Sequence, residues 1–140
     1  MSSLEEEEFF EKRKKSIAGL ANDRHLQKRG IALLCDAARH SYSFNFDWLS
    51  RPIIQHPQDM VVVQEVVWEV KPDLIIEVGV ARGGSLILSA SLLALIELCE
   101  FGLVSTNPPS KGRRRVVGID IDIRSHNRVA IENHPLSSWI

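Results

Sequence analysis

From about Leu4 to Ala38, charged clusters alternate with apolar residues such as Phe9, Ile17, Leu20, Leu26, Leu33 and Leu34, a pattern that predicts one or two amphipathic helices. Gly19 and Gly30 are the expected interruptions. "SYSFNFDWLSRPIIQHPQD" reads differently, because its prolines and aromatics break helical continuity and predict an ordered loop packed on something else. Phe44, Phe46 and Trp48 alternate with polar residues there, as a short strand or as anchors. From Asp59, "DMVVVQEVVWEV" returns to helical spacing, with Met60, Val63, Val67 and Val70 on one stripe. Its valines favour a strand by propensity. Closure by Pro57 and by Lys71-Pro72, with a better strand candidate following at once, favours a helix.

That better candidate is "DLIIEV", Asp73 to Val78, an apolar β-branched run of the kind buried on both faces of a parallel sheet. The glycine turn after it leads into "SLILSASLLALIELCEF", which is long enough for a helix of four or more turns. Apolar residues cover most of that helix's circumference, so it should be largely enclosed, and Gly102 is its natural stop. "STNPPSKGRRR" then forms a crossover loop into a second strand, "RVVGIDI", and "HNRVAIENH" fits a further crossover helix. Strand, turn, helix and strand make a βαβ unit with parallel strands, so the fold class is α/β. Residues 1–40 read as an amino-terminal helical extension and 41–140 as an incomplete α/β domain. Two parallel strands are too few to cover the apolar faces of the helices, and they leave two open edges. The expectation is therefore a fragment of a larger domain, or a protomer that completes itself in a homo-oligomer.

Composition changes this picture little. The chain carries 17 basic and 18 acidic side chains, a net charge of −1, so no global field recruits nucleic acid or an anionic membrane. Cys35 and Cys99 sit among apolar residues with no CxxC and no histidine at ligand spacing, which predicts buried, reduced thiols. The start "MSSLEEEEFFEKRKK" is acidic where a secretory leader is basic, and Glu5 to Glu8 read as a solvated helix start. No uninterrupted apolar run reaches the roughly 18 residues of a membrane span. These features point to the cytoplasm and to no transmembrane segment.

The chemistry concentrates in "IIEVGVARGGS", Ile75 to Ser85. Gly79, Gly83 and Gly84 permit positive φ and close ligand approach. Ser85 and the unpaired amides of the first helical turn should face one crevice that suits a carboxylate or phosphate. Glu77, ending the strand, would repel a phosphate but attract an ammonium or hydroxyl donors. A ligand bearing both an amine and a carboxylate satisfies the pair, and S-adenosylmethionine carries both. In open α/β sheets the carboxyl ends of adjacent strands form the ligand crevice. "VVGIDID" places Asp120 near that end, where a carboxylate can accept from a ribose diol, with Asp122 as the shifted alternative on the same face if the strand continues. A generic tight turn is one competing account. Dinucleotide binding is another, since Gly79, Ala81 and Gly84 spell a degenerate G-x-A-x-x-G that could serve NAD. An acidic residue just before the turn, and a second acidic position well beyond the usual ~20-residue spacing, count against NAD.

The segments "YSFNFDWLSRPIIQHPQDM", "PDLIIEVGVARGGSLI" and "VVGIDIDIRSHNRVAIENHPL", in that order from about Ser41 to Leu136, resemble the cephalosporin hydroxylase family. That family groups with S-adenosylmethionine-dependent O-methyltransferases, including rhamnosyl methyltransferases. The resemblance implies a partial Rossmann-like class I methyltransferase fold. It also implies that Glu77 and the Gly79, Ala81, Gly83, Gly84 and Ser85 turn cradle the methionine part of the cofactor, with Asp120 near the ribose. The acceptor it implies is a hydroxyl of a saccharide, lipid-linked glycan or small secondary metabolite, attacking the sulfonium methyl in line. It further implies magnesium, held by acidic residues on later strands that have no counterpart in these 140 residues; the sequence points to no catalytic or metal-binding residue of its own. A non-catalytic binding module is the alternative from another class. Gln55, Gln58 and Asp59 are open to a site-facing role under the resemblance, against helix capping by Asp59. His126 and His134 read as exposed, and Arg113, Arg114 and Arg115 as a solvated loop or as contacts to an anionic acceptor.

Overall fold

The computed structural model describes residues 4–102 and 114–140. Two compact units are present, Met1–Tyr42 and Ser43–Ile140. The first holds helices α1 (Leu4–Asn22) and α2 (Arg24–Ala38). The break falls at Asp23, and Gly19 and Gly30 both lie inside helices. The reason is capping: the Asp23 side chain accepts from the Leu26 amide at 2.9 Å, while the Gln27 carboxamide donates to the Ala21 carbonyl at 2.8 Å. Neither helix has a buried residue, so apolar positions such as Phe9, Leu20 and Leu33 remain exposed.

In the second unit the short-strand reading holds for Phe46 and Trp48, while Phe44 ends a 3-10 turn before them. The strand belongs to a hairpin, β1 (Phe46–Trp48) and β2 (Arg51–Ile53), antiparallel with Trp48 opposite Arg51. The two-residue turn puts Leu49 at φ 45° and Ser50 at φ 67° without the Asn-Gly that usually supplies such angles. The His134 ring holds this turn: its Nδ1 accepts from the Leu136 amide, so Nε2 carries the proton that it donates to the Leu49 carbonyl at 3.1 Å. Phe46 and Trp48 pack on the core, and the Trp48 indole donates to Ser91 Oγ at 3.1 Å.

Helix α3 (Pro57–Val70) is a helix despite its valines. Pro57 opens it, where a missing N–H costs nothing, and Lys71 closes it in the left-handed region with its amide on the Val67 carbonyl at 2.9 Å. Asp59 is not its cap. His56 holds that position, and Asp59 sits within the first turn, where its charge suits the helix dipole. Val67 is buried and Met60 and Val63 partly so, whereas Val70 is exposed.

Strand β3 (Leu74–Val78), helix α4 (Gly84–Phe101) and strand β4 (Arg115–Ile119) form the βαβ unit, the strands parallel with Glu77 opposite Gly118. Helix α5 (Ser125–Glu132) follows. Helix α4 is the core: Ile87, Leu93 and Ile96 are fully buried and Leu86 is buried, with Ile53, Val80 and Val116 around them. It is long and apolar enough to cross a membrane by composition, yet it serves as this unit's interior helix. The expectation of a sheet buried on both faces does not hold among the described residues. Alternate side chains Leu74, Ile76 and Val78 of β3, with Val117 and Ile119 of β4, are exposed, Val78 at 82%. Helix α4 covers one face only.

Two further expectations, for the cysteines and for Arg114, are corrected. Cys35 and Cys99 are free but exposed, because α2 buries nothing and the enclosed part of α4 ends at Glu97. Arg114 is 6% exposed and not solvated: its guanidinium meets Glu100 at 2.8 Å and its amide donates to the buried Glu97 carboxylate at 3.0 Å. That same carboxylate accepts from the Trp139 indole at 3.0 Å, tying the chain's last turn to α4. Arg115 begins β4, and Arg113 lies outside the described residues.

Candidate functional site

The site grows out of the β3 carboxyl end. Because side chains alternate along a strand, Glu77 shares the α4 face with Ile75, opposite to Val78. The chain then turns through Gly79 at φ 95°, Ala81 at φ 46° and Gly83 at φ 84° into α4. Ala81 is the costly member, since a residue with a Cβ in the left-handed region gives up about 1–2 kcal/mol. Gly79 has no atom within 4 Å of where a Cβ would stand, so the space on that side of its Cα is open to a ligand. The turn is closed internally by the Gly83 amide on the Val80 carbonyl at 2.8 Å.

A cleft of about 380 Å³ opens here. Its volume lies within the roughly 300–1,000 Å³ of small-molecule sites. Glu77, Gly79, Ala81, Gly84 and Ser85 line it, with Arg82 and Ser89 from the same strand-turn-helix and with Pro52, Ile54 and Gln55 from the hairpin side. The Ser85 hydroxyl donates to Glu77 Oε1, so the two site-facing polar groups are joined across the turn. Burial pushes the Glu77 carboxyl above its usual range, against the smaller opposing effect of the Ser85 bond. First-turn amides of α4 lack intrahelical partners and aim positive dipole at the same place. Half of the cleft thus favours a cation beside Glu77 and half an anion at the helix start.

Asp120 stands apart from this lining. It follows β4 directly, at the strand tip beside the turn, where the Gly79 amide bonds the Ile119 carbonyl at 2.8 Å. Its Oδ2 accepts from the Val80 amide at 2.7 Å and the Ala81 amide at 3.4 Å, and its Oδ1 accepts from the Asp122 amide at 3.1 Å. The amides of Asp122 and Val80 hold its carboxyl below the usual carboxylate range. A carboxylate offers about four lone-pair sites, so most of Asp120 is committed to shaping the turn and a free two-bond clasp of a diol is not what the geometry provides. Strand β4 ends at Ile119, so the shared face expected of Asp120 and Asp122 is not formed, and Asp122 is exposed.

Among the remaining candidates, Gln55 reaches the cleft while Gln58 and Asp59 are exposed away from its lining. Gly83 caps α4. His126 is exposed on α5 and His134 has the hairpin-holding part described above. Sequence reasoning missed Arg51 and Asn127, which donate to carbonyls of the turn. No spacing signal joins them to it, because they come from β2 and α5. No three His, Cys, Asp or Glu side chains are grouped to hold a metal among the described residues.

A family model described as rhamnosyl O-methyltransferase/CmcI matches residues 40–140, which takes in the hairpin, both parallel strands, the glycine turn and Asp120. No curated protein and no solved structure matches the chain.

Proposed function

The chain belongs to the rhamnosyl O-methyltransferase/CmcI family, and from that premise we propose that unit Ser43–Ile140 binds S-adenosylmethionine in the glycine-turn cleft of a Rossmann-like methyltransferase fold. The observation that carries the reading is the joined pair of Glu77 and Ser85 beside the open space left by the missing side chain of Gly79. An ammonium meets the Glu77 carboxylate, which the Ser85 hydroxyl holds in place, and the neighbouring ligand carboxylate meets the first-turn amides of α4. Asp120 takes the ribose side by fixing the turn and offering what acceptor capacity its amide donors leave.

When bound, S-adenosylmethionine supplies an electrophilic sulfonium methyl group. The protein's contribution is placement: Glu77, Ser85 and the turn fix the methionyl end, and the Pro52 and Ile54 wall keeps water from one side of it. The acceptor is a hydroxyl of a saccharide or other small molecule. Gln55, facing the same cleft from the hairpin side, is placed to touch the ligand or the acceptor.

Isothermal titration calorimetry of the 140-residue chain with S-adenosylmethionine, S-adenosylhomocysteine and NAD tests this reading. Saturable binding of the first two, with NAD weaker by at least about tenfold, is expected, since the half-buried Glu77 carboxylate in the cleft lining repels a pyrophosphate. Preference for NAD would overturn the assignment.

A further inference from the structure

Resting on the cofactor reading above, we infer that Asn127 and Arg51 are positioning residues, a two-donor clamp that holds the carbonyls of the glycine turn away from the bound cofactor. The turn is gripped on both of its polar edges. On the amide edge, Asp120 accepts from Val80 and Ala81. On the carbonyl edge, Asn127 Nδ2 donates to the Ala81 carbonyl at 3.0 Å, and Arg51 Nε donates to the Arg82 carbonyl at 3.1 Å, with its Nη2 on the same oxygen. Arg51 Nη2 also reaches Asn127 Oδ1 at 3.4 Å, which links the two donors.

Several facts make this more than incidental bonding. Asn127 is 5% exposed, and a buried carboxamide is retained at a cost unless its donors and acceptor are satisfied. Ala81 holds a left-handed backbone that its side chain disfavours, so something outside the turn must keep it there. Ala81 and Arg82 line the cleft, whereas Asn127 and Arg51 do not, so the donors act on the turn and not on its ligand. A trans peptide points its N–H opposite to its C=O. Drawing the two carbonyls outward therefore fixes both peptide planes and keeps two partial negative charges from facing a ligand carboxylate.

The test compares the full chain with Asn127→Asp, which keeps the shape but loses the amide donor, and with Arg51→Ala and Arg51→Lys at the more exposed position. Two quantities are measured: S-adenosylhomocysteine affinity by calorimetry, and amide hydrogen exchange by NMR in the ligand-free protein. Asn127→Asp and Arg51→Ala are each expected to weaken binding roughly tenfold, the worth of one or two hydrogen bonds. Exchange at Ala81, Arg82 and Gly83 should quicken, while Leu92 and Leu93 in the α4 core stay protected. Arg51→Lys, keeping one donor, should recover part of the affinity. Should Asn127→Asp fail to fold, the Arg51 pair carries the comparison. Wild-type affinity and unchanged turn exchange in the variants would overturn the clamp alone. Absence of S-adenosylhomocysteine binding by the wild type would overturn the cofactor reading and the clamp's purpose with it.

Discussion

Replacing Gly84 with alanine is expected to lower the melting temperature by roughly 5–15 °C and to abolish ligand binding. The new Cβ would stand 2.3 Å from the Pro52 carbonyl oxygen and 2.7 Å from both Ile53 Cα and Cβ. Two of those three atoms are backbone, so no side-chain rotation relieves the clash, and α4 must move away from β2. Overpacking of this kind costs about 1–3 kcal/mol, and each kcal/mol is worth roughly 4–8 °C in a small domain. The displaced wall is also the cleft's, since Pro52, Ile54 and Gln55 face Glu77 and Ser85 across it. Gly79→Ala is the contrasting case. Nothing stands within 4 Å of its Cβ, so only the strain of φ 95° opposes it, and the fold should survive with a smaller loss. Differential scanning calorimetry of the two variants separates clash from strain.

Glu77→Gln is expected to weaken S-adenosylmethionine binding by about ten- to a hundredfold, the worth of a hydrogen bond to a charged group. The ligand-free protein should at the same time become more stable at neutral pH. The two effects share one cause. Burial raises the Glu77 pKa above that of a solvated glutamate, so folding favours the protonated carboxyl. Its stabilising contribution is present below the unfolded value and is lost as pH rises through the folded one. Glutamine stays neutral and avoids that loss. An ammonium ligand favours the ionised form, so binding to the wild type should release a proton. Affinity should be full above the raised pKa of the free protein and fall as pH drops below it, whereas Glu77→Gln should show a flat profile at its lower level. Calorimetry across the acid range in buffers of differing ionisation enthalpy reads both the profile and the proton.

The parts of the fold that were legible in the sequence are those with a strong local signal. The run Leu74 to Val78, the glycine turn and the apolar length of α4 define the strand-turn-helix, and Gly102 ends that helix as expected, its amide on the Leu98 carbonyl. The hairpin's turn and pairing were not legible because Leu49 and Ser50 are poor turn residues, held in place by His134 from 85 positions away. Asp23 outweighed Gly19 because a side-chain cap stops and restarts a helix, while a glycine only weakens one. Arg114 looked solvated in a basic run, and only the tertiary pairing with Glu97 and Glu100 encloses it. At the site, Glu77, Gly79, Ala81, Gly84 and Ser85 converge as their adjacency suggested. Asp120 is beside them, but its partners are the turn's amides, a use of a strand-end carboxylate that spacing does not distinguish from ligand binding.

The apolar face of β3 and β4 opposite α4 has a physical consequence. Leu74, Ile76, Val78, Val117 and Ile119 form a contiguous exposed stripe by their register, and large apolar patches of this kind are covered in stable soluble proteins. The cleft lies on the other side, where α4 and Glu77 are.

The most direct measurement is NMR amide mapping of the full chain titrated with S-adenosylhomocysteine. The largest shift changes are expected at Gly79, Ala81, Ser85 and Leu86, together with the Gln55 side-chain amide, and should disappear in Glu77→Ala. Changes centred elsewhere, or none at saturating ligand, would contradict the placement of the cofactor in this cleft.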